Sequence, residues 1–229
     1  MNQEVMNLSV AEVQERSFIS KVYIWMGFGL LVTAITAYFA VNSGFVYTLA
    51  ENSILFYGTI IAELGLVVYL STRIQKMSAE AATTTFIIYS ALTGITLSLI
   101  FLIYTSGSVA STFMTTALTF GAMSAYGYFT KRDLTTMGSY LQMALIGLII
   151  ASVINMFWAN STMYWIISYV GVLLFVGLTA YDTQKIKKIG ATVSGVQATQ
   201  KLAIMGALTL YLDFINLFLM LLRIMGNRR

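Results

Sequence analysis

Two runs decide the reading of this chain: LTAYDTQKIKK at Leu178–Lys188 and LTLYLDFINLFLMLLRIMG at Leu208–Gly226. Both look like bilayer helices, yet each carries one aspartate, Asp182 and Asp213. A charged side chain at a bilayer centre costs at least ~2.5–3.5 kcal/mol on insertion scales, so such residues are rare and usually functional. A hairpin folding about residues 197–198, close to the turn residues Ser194-Gly195, brings the two carboxyl groups level. The sequence therefore predicts that Asp182 and Asp213 meet inside a helix bundle and share protons or a cation.

The surrounding composition supports the bilayer. Of 229 residues, 58% are hydrophobic and 10% charged, where a soluble domain carries about 25% charged residues. Apolar runs of about 20 residues recur along the chain, the length a spanning helix needs. The fold class is an all-α polytopic membrane protein; a β-barrel instead shows alternating strands of about ten residues. The chain has no Cys and no His. That excludes a disulfide framework, thiolate and histidine metal sites, and a Ser–His–Asp triad. It also has no Pro, so helix breaks must rely on glycine. The net charge of +4 sits in short inter-helix loops and does not point to nucleic acid.

In chain order, residues 1–20 form a polar, interfacial or disordered cytoplasmic lead that is no signal peptide, with capping-box spacing at Ser9 and Glu12. Residues 21–229 form the transmembrane domain. Seven helices are predicted, over about 22–41, 53–71, 81–104, 109–129, 137–157, 163–188 and 202–222. Loops after the second, fourth and sixth carry Arg73, Lys76, Lys131, Arg132, Lys185, Lys187, Lys188 and Lys201. Loops after the first, third and fifth carry no Lys or Arg. The positive-inside rule makes the basic side and the N-terminus cytoplasmic, and places the C-terminus outside. Arg223, Arg228 and Arg229 run against that rule, and a re-entrant last segment is the alternative. The ends of helices two, four and six echo one another, with Tyr69, Tyr126 and Tyr181 each followed by a basic residue. Interfacial tyrosines followed by inside charges explain that echo as well as a repeat does.

Four ionisable groups stand out: Glu63, Arg73, Asp182 and Asp213. Asp213 has about eleven apolar-helix residues before it and nine after, so its short side chain cannot snorkel. Asn216 shares its helix face. Asp182, three residues before Lys185, reads equally well alone as a solvated carboxylate at the membrane edge. Two carboxylates in one site cannot both ionise cheaply, so the pair is expected to hold one proton and titrate as a unit. Arg73 is the candidate arginine to latch the doubly charged form, or simply a topology anchor. Glu63 lies ten residues before Arg73, about 15 Å along the helix, too far to pair with it. With Asp213 and Asn216, Glu63 is a candidate to line a cation path. Hard oxygen ligands suit Ca²⁺ or H⁺.

Four stretches carry a resemblance: YSALTGITLS (Tyr89–Ser98), FGAMSAYGYFTKRDL (Phe120–Leu134), VGLTAYDTQKIK (Val176–Lys187) and GALTLYLDFINLFLMLLRIMGNRR (Gly206–Arg229). On these the chain resembles the Bax-inhibitor family, or transmembrane BAX-inhibitor-motif family, in its bacterial inner-membrane, YbhL-type branch. The resemblance covers about Lys21 to Arg229. It implies a seven-helix fold with the last helix central and six wrapped around it. It implies a pH-sensitive Ca²⁺ leak, with no resident cofactor, in the bacterial inner membrane. Its di-aspartyl sensor falls on Asp182 and Asp213, its latching arginine on Arg73, and a helix-two glutamate on Glu63. The linker between the aspartates is several residues longer than the family's bacterial pattern.

The expected partners are the lipid bilayer, Ca²⁺ and H⁺. The expected protein is not an enzyme. The rival from another class is an intramembrane aspartyl protease, which Tyr181-Asp182 fits. Against it, Leu210-Tyr211-Leu212 stands where that family has a Gly-x-Gly run, and its Pro-containing docking motif is impossible here. A third reading is a non-conducting protein that modulates a membrane partner.

Overall fold

In a computed structural model, which describes residues 12–229, the chain is helical throughout, apart from short turns and a single isolated β-bridge. The helices are α1 (Asn2–Asn42), α2 (Phe45–Glu51), α3 (Ser53–Arg73), α4 (Ala79–Leu97), α5 (Ile100–Ile103), α6 (Ser106–Phe129), α7 (Thr135–Trp158), α8 (Ser161–Thr192) and α9 (Val196–Met225). Among the described residues, six segments are long and apolar enough to cross a membrane: 12–42, 53–73, 79–103, 135–158, 161–192 and 196–225. Helix α6, over the predicted fourth span, is 24 residues long but not among the six. Its many Ser and Thr residues explain this.

The turns fall where short polar residues and glycine invite them. Asn52 caps α3 by accepting from Leu55 N–H at 3.0 Å, and Ser78 caps α4 by accepting from Ala81 N–H at 3.1 Å. Both satisfy backbone donors that a helix start leaves orphaned. Gly195 ends the α8–α9 turn at φ 88°, a conformation glycine adopts without steric cost. That turn lies just before the midpoint read from the sequence.

Several boundaries differ from the sequence reading; the last helix, for one, begins at Val196, six residues before its predicted start. From Glu12 the lead is continuous with α1 and buries Phe18 and Ile19, so its described part is neither separate nor disordered. The Ser9 half of the predicted capping box lies outside the described residues. Residues 45–51, left unassigned by the sequence, form α2, which buries Val46 and Leu49. The C-terminal basic run of the sixth helix stays helical to Thr192.

The chain forms two compact units. The first comprises Met1–Ile103 and Lys188–Tyr211. In it α1 packs on α4, and α3 on α4. Gly94 lets α4 approach the Thr33 carbonyl, which a Cβ would meet at 2.5 Å. Such small residues allow close helix contact in lipid, where hydrophobic driving force between helices is lacking. Tyr211 of α9 stands edge-on to Phe86 and Tyr89, with ring centroids 5.8 and 5.9 Å away.

The second unit comprises Tyr104–Lys187 and Leu212–Arg229. Phe214 of α9 packs edge-on to Phe113 and Phe120 of α6, at 5.2 and 5.5 Å. Gly127 of α6 faces the backbone of Ala180 on α8, and Gly138 of α7 lies under the Tyr181 ring. Each of these glycines makes room beside the segment that carries Asp182. Large apolar side chains such as Leu173 (72% exposed) and Ile146 (60%) point outward, as expected where lipid is the solvent.

Candidate functional site

The site is built on α8 and on the part of α9 within the second unit. Asp182 follows Thr179, whose hydroxyl donates to the Phe175 carbonyl at 2.7 Å and so stays satisfied within its own helix. Asp182 is 6% exposed and Asp213 5%. Their carboxyl groups lie close enough to share a hydrogen bond. Ionised carboxylates only accept, so this contact needs a proton between them. Among the described residues, the Asp213 Oδ2 atom has no hydrogen-bond partner and is buried. An unpaired buried polar atom is costly, which marks the pair as something other than packing.

The neighbours hold Asp182 in place. Lys185, one turn on, is the cation that acts on it, and its ammonium lies 5.9 Å from the Tyr181 ring centroid. Thr183 Oγ1 reaches Ser124 Oγ of α6 at 3.4 Å. Lys187 Nζ donates to the Tyr128 carbonyl at 3.0 Å and stands 4.6 Å over that residue's ring. The α8 segment is thus stitched to the end of α6 just beyond the aspartate.

Gln184 completes this support, and sequence reasoning missed it. Its Oε1 accepts from Leu134 N–H at 2.9 Å, and its Nε2 donates to the Arg132 carbonyl at 2.8 Å. One buried amide therefore ties α8 to the entry of α7. The available signal was the run Asp182-Thr183-Gln184-Lys185, four polar residues in succession directly after an apolar stretch of the helix. Replacing Gln184 by leucine orphans a backbone donor and an acceptor, at roughly 1–3 kcal/mol each. We expect Gln184→Leu to lower the thermal unfolding midpoint in detergent clearly, and Gln184→Glu, which keeps one acceptor, to lower it less.

Glu63, Arg73 and Asn216 have separate settings. Glu63 is half-buried in the middle of α3 and accepts a hydrogen bond from Thr96 of α4. Beside it in the first unit runs a chain of hydroxyls. Tyr211 OH meets Thr33 Oγ1 at 2.7 Å, Thr33 donates to the Ser90 carbonyl at 2.8 Å, and Thr93 bonds both Tyr89 and Tyr211. This network was not legible in the sequence, because isolated Thr and Tyr in apolar helices carry no pattern. Arg73 is exposed in the last turn of α3, where a cation complements the helix C-terminus. Asn216 uses its Nδ2 on its own helix, donating to the Leu212 carbonyl at 2.8 Å. Among the described residues, no group of three or more His, Cys, Asp or Glu side chains is placed to hold a metal ion.

Comparison with known proteins gives this geometry a context. The family model described as inhibitor of apoptosis-promoting Bax1 matches residues 15–229. The chain is 54% identical over 217 residues to the inner membrane protein YbhL of Escherichia coli strain K12, covering 93% of each protein. It is 48% identical to an uncharacterized protein of Borreliella burgdorferi, covering 94% of each. It is 37% identical to a membrane protein of Streptococcus pyogenes serotype M1, covering 95% of each. A match of this extent, through every helix that builds the site, places the chain in the Bax-inhibitor family of membrane proteins.

Proposed function

We propose that the protein is a pH-gated cation leak, chiefly for Ca²⁺, in the bacterial inner membrane, with Asp182 and Asp213 as its proton-sensing gate. One observation carries this reading: two buried aspartates from different helices contact each other. A shared proton lets the carboxyls touch, and its loss sets two charges against each other at short range. Opposed buried charges favour separation of α8 and α9, or a cation between them. That makes the pair a two-state element with a chemical trigger. Arg73 is assigned the latching role and Glu63 cation handling on the family pattern, and Asn216 joins Glu63 because it shares the helix face of Asp213.

The reading includes seven spans with the last helix central. Helix α6, about 36 Å long at 1.5 Å per residue, exceeds the ~30 Å hydrocarbon core. Its hydroxyls bond its own carbonyls, as Thr115 does to Ser111 at 3.0 Å and Thr116 to Thr112 at 2.8 Å, which lowers the cost of placing it in lipid. In α9 67% of the most apolar window is buried, against 6% in α3 and α7, which favours a central place for it.

The C-terminal residues support an outside C-terminus. Thr105 N–H donates to the Asn227 carbonyl at 3.1 Å, Asn227 N–H to Ser108 Oγ at 2.9 Å, and Arg228 to Tyr164 OH at 3.3 Å. The tail thus meets two of the three loops without Lys or Arg, and not the loop of Lys131 and Arg132. Tyr164 precedes Asp182 by 18 residues, about 27 Å of helix. On this topology the aspartate pair lies toward the cytoplasmic face.

Two aspartates sharing a proton is also the arrangement of aspartic proteases, so the test has two arms. Purified protein in liposomes is expected to admit Ca²⁺ above protein-free vesicles, with a rate that changes across pH 5–8. It is expected not to cleave a transmembrane peptide substrate. Cleavage without flux supports the protease; neither activity rejects both and leaves a membrane modulator.

A further inference from the structure

We propose that the cavity between the start of α1 and the α8–α9 turn holds the head of an anionic phospholipid from the cytoplasmic leaflet. The cavity has a volume of about 660 Å³ and lies entirely within the first unit. Ligand pockets run to about 300–1,000 Å³, so a phospholipid headgroup fits. Among the described residues, Lys21 is the one charged side chain that lines it, and no carboxylate does. Gln14, Ser17 and Gln200 add uncharged donors around the rim. A pocket with one cation, several neutral donors and no acid selects an anion with several acceptor oxygens, as a phosphodiester has.

The occupant is an amphiphile because an apolar track continues along α1 from the lining residues Lys21 and Trp25. Ile24, Phe28, Leu31 and Ile35 follow Lys21 at steps of three, four, three and four, on one face of α1. They are 66%, 42%, 54% and 46% exposed. From Lys21 to Ile35 is 14 residues, about 21 Å, more than the ~15 Å of hydrocarbon in one leaflet of a ~30 Å core and so long enough to follow an acyl chain through it. Trp25 lines the cavity and stands edge-on to Phe28 at 5.8 Å, at the level where Trp anchors membrane interfaces. The phosphate sits at Lys21 and one acyl chain descends the track. Basic pockets between helices on the cytoplasmic side are the usual seats of such lipids. This inference does not depend on ion conduction.

The test measures lipid binding to the full chain in neutral detergent by native mass spectrometry, with phosphatidylglycerol, phosphatidylcholine and soluble glycerol phosphate as probes. Phosphatidylglycerol is expected to bind at least about fivefold more tightly than phosphatidylcholine. Lys21→Gln is expected to remove about fivefold of that affinity, what one basic residue contributes at an anionic surface, while Lys76→Gln keeps it. Circular dichroism of each variant checks that it is folded. Equal binding of the two lipids overturns the proposal, as does undiminished phosphatidylglycerol binding by folded Lys21→Gln. Glycerol phosphate binding as tightly as the lipid also overturns it, since the site then takes a free phosphate.

Discussion

Gly127→Ala is expected to lower the unfolding midpoint by about 5–10 °C, and Gly127→Leu to leave little folded protein. A Cβ at Gly127 falls 2.2 Å from the Ala180 carbonyl oxygen and 2.9 Å from its carbon and Cα. These are helix backbone atoms, which cannot swing aside as a flexible side chain can. Either α6 retreats from α8 or the Ala180 hydrogen bond breaks, and Asp182 is two residues away. Overpacking of this kind costs about 1–3 kcal/mol, and a backbone neighbour puts the cost at the upper end. In a chain of this size each kcal/mol is worth about 2–4 °C. Gly121 on the same helix provides the control, because a Cβ there meets nothing within 4 Å. Gly121→Ala is expected to be neutral or slightly stabilising through helix propensity. Equal midpoints for Gly127→Ala and wild type would show that α6 and α8 do not approach as described.

The second large effect belongs to the aspartates. Asp182→Asn and Asp213→Asn are each expected to flatten the pH dependence of Ca²⁺ flux, so that the rate ratio between the pH 5 and pH 8 ends collapses toward one. The double variant is expected to do no more than either single. Asparagine keeps the shape and supplies a permanent N–H donor where the pair has an exchangeable proton. With one partner unable to ionise, no charge repulsion can develop, whichever partner it is. Residues that work as a unit give such non-additive losses, whereas two independent carboxylates give additive ones. Additive effects in the double variant would separate the residues into two sensors.

How much of this was legible in the sequence varies by residue. The helices follow from apolar runs that only a bilayer or a buried core accommodates, and the turns from Asn42-Ser43-Gly44 and Ser194-Gly195. The meeting of Asp182 and Asp213 was legible because two rare residues flank one turn at comparable distances. The count of apolar spans was less so: α6 is a helix where expected, yet its Ser and Thr content dilutes the hydropathy signal. Gln184, the Thr33–Tyr211 contact and the Gly127–Ala180 approach were not legible. Each depends on a partner 50 or more residues away, and neither periodicity nor composition specifies which distant backbone atom a side chain will meet. That the described part of the lead is helical was not legible, because its charges mask the buried stripe of Phe18, Ile19 and Val22.

The central claim is that one proton, shared by Asp182 and Asp213, sets the state of the leak. Infrared difference spectroscopy of the protein in liposomes, run across the same pH series as Ca²⁺ flux, tests it most directly. The account predicts a protonated-carboxyl stretch whose intensity changes with the same midpoint as the flux and which is missing in Asp213→Asn. A flux transition with no accompanying carboxyl change, or a carboxyl band that survives unaltered in Asp213→Asn, would contradict it.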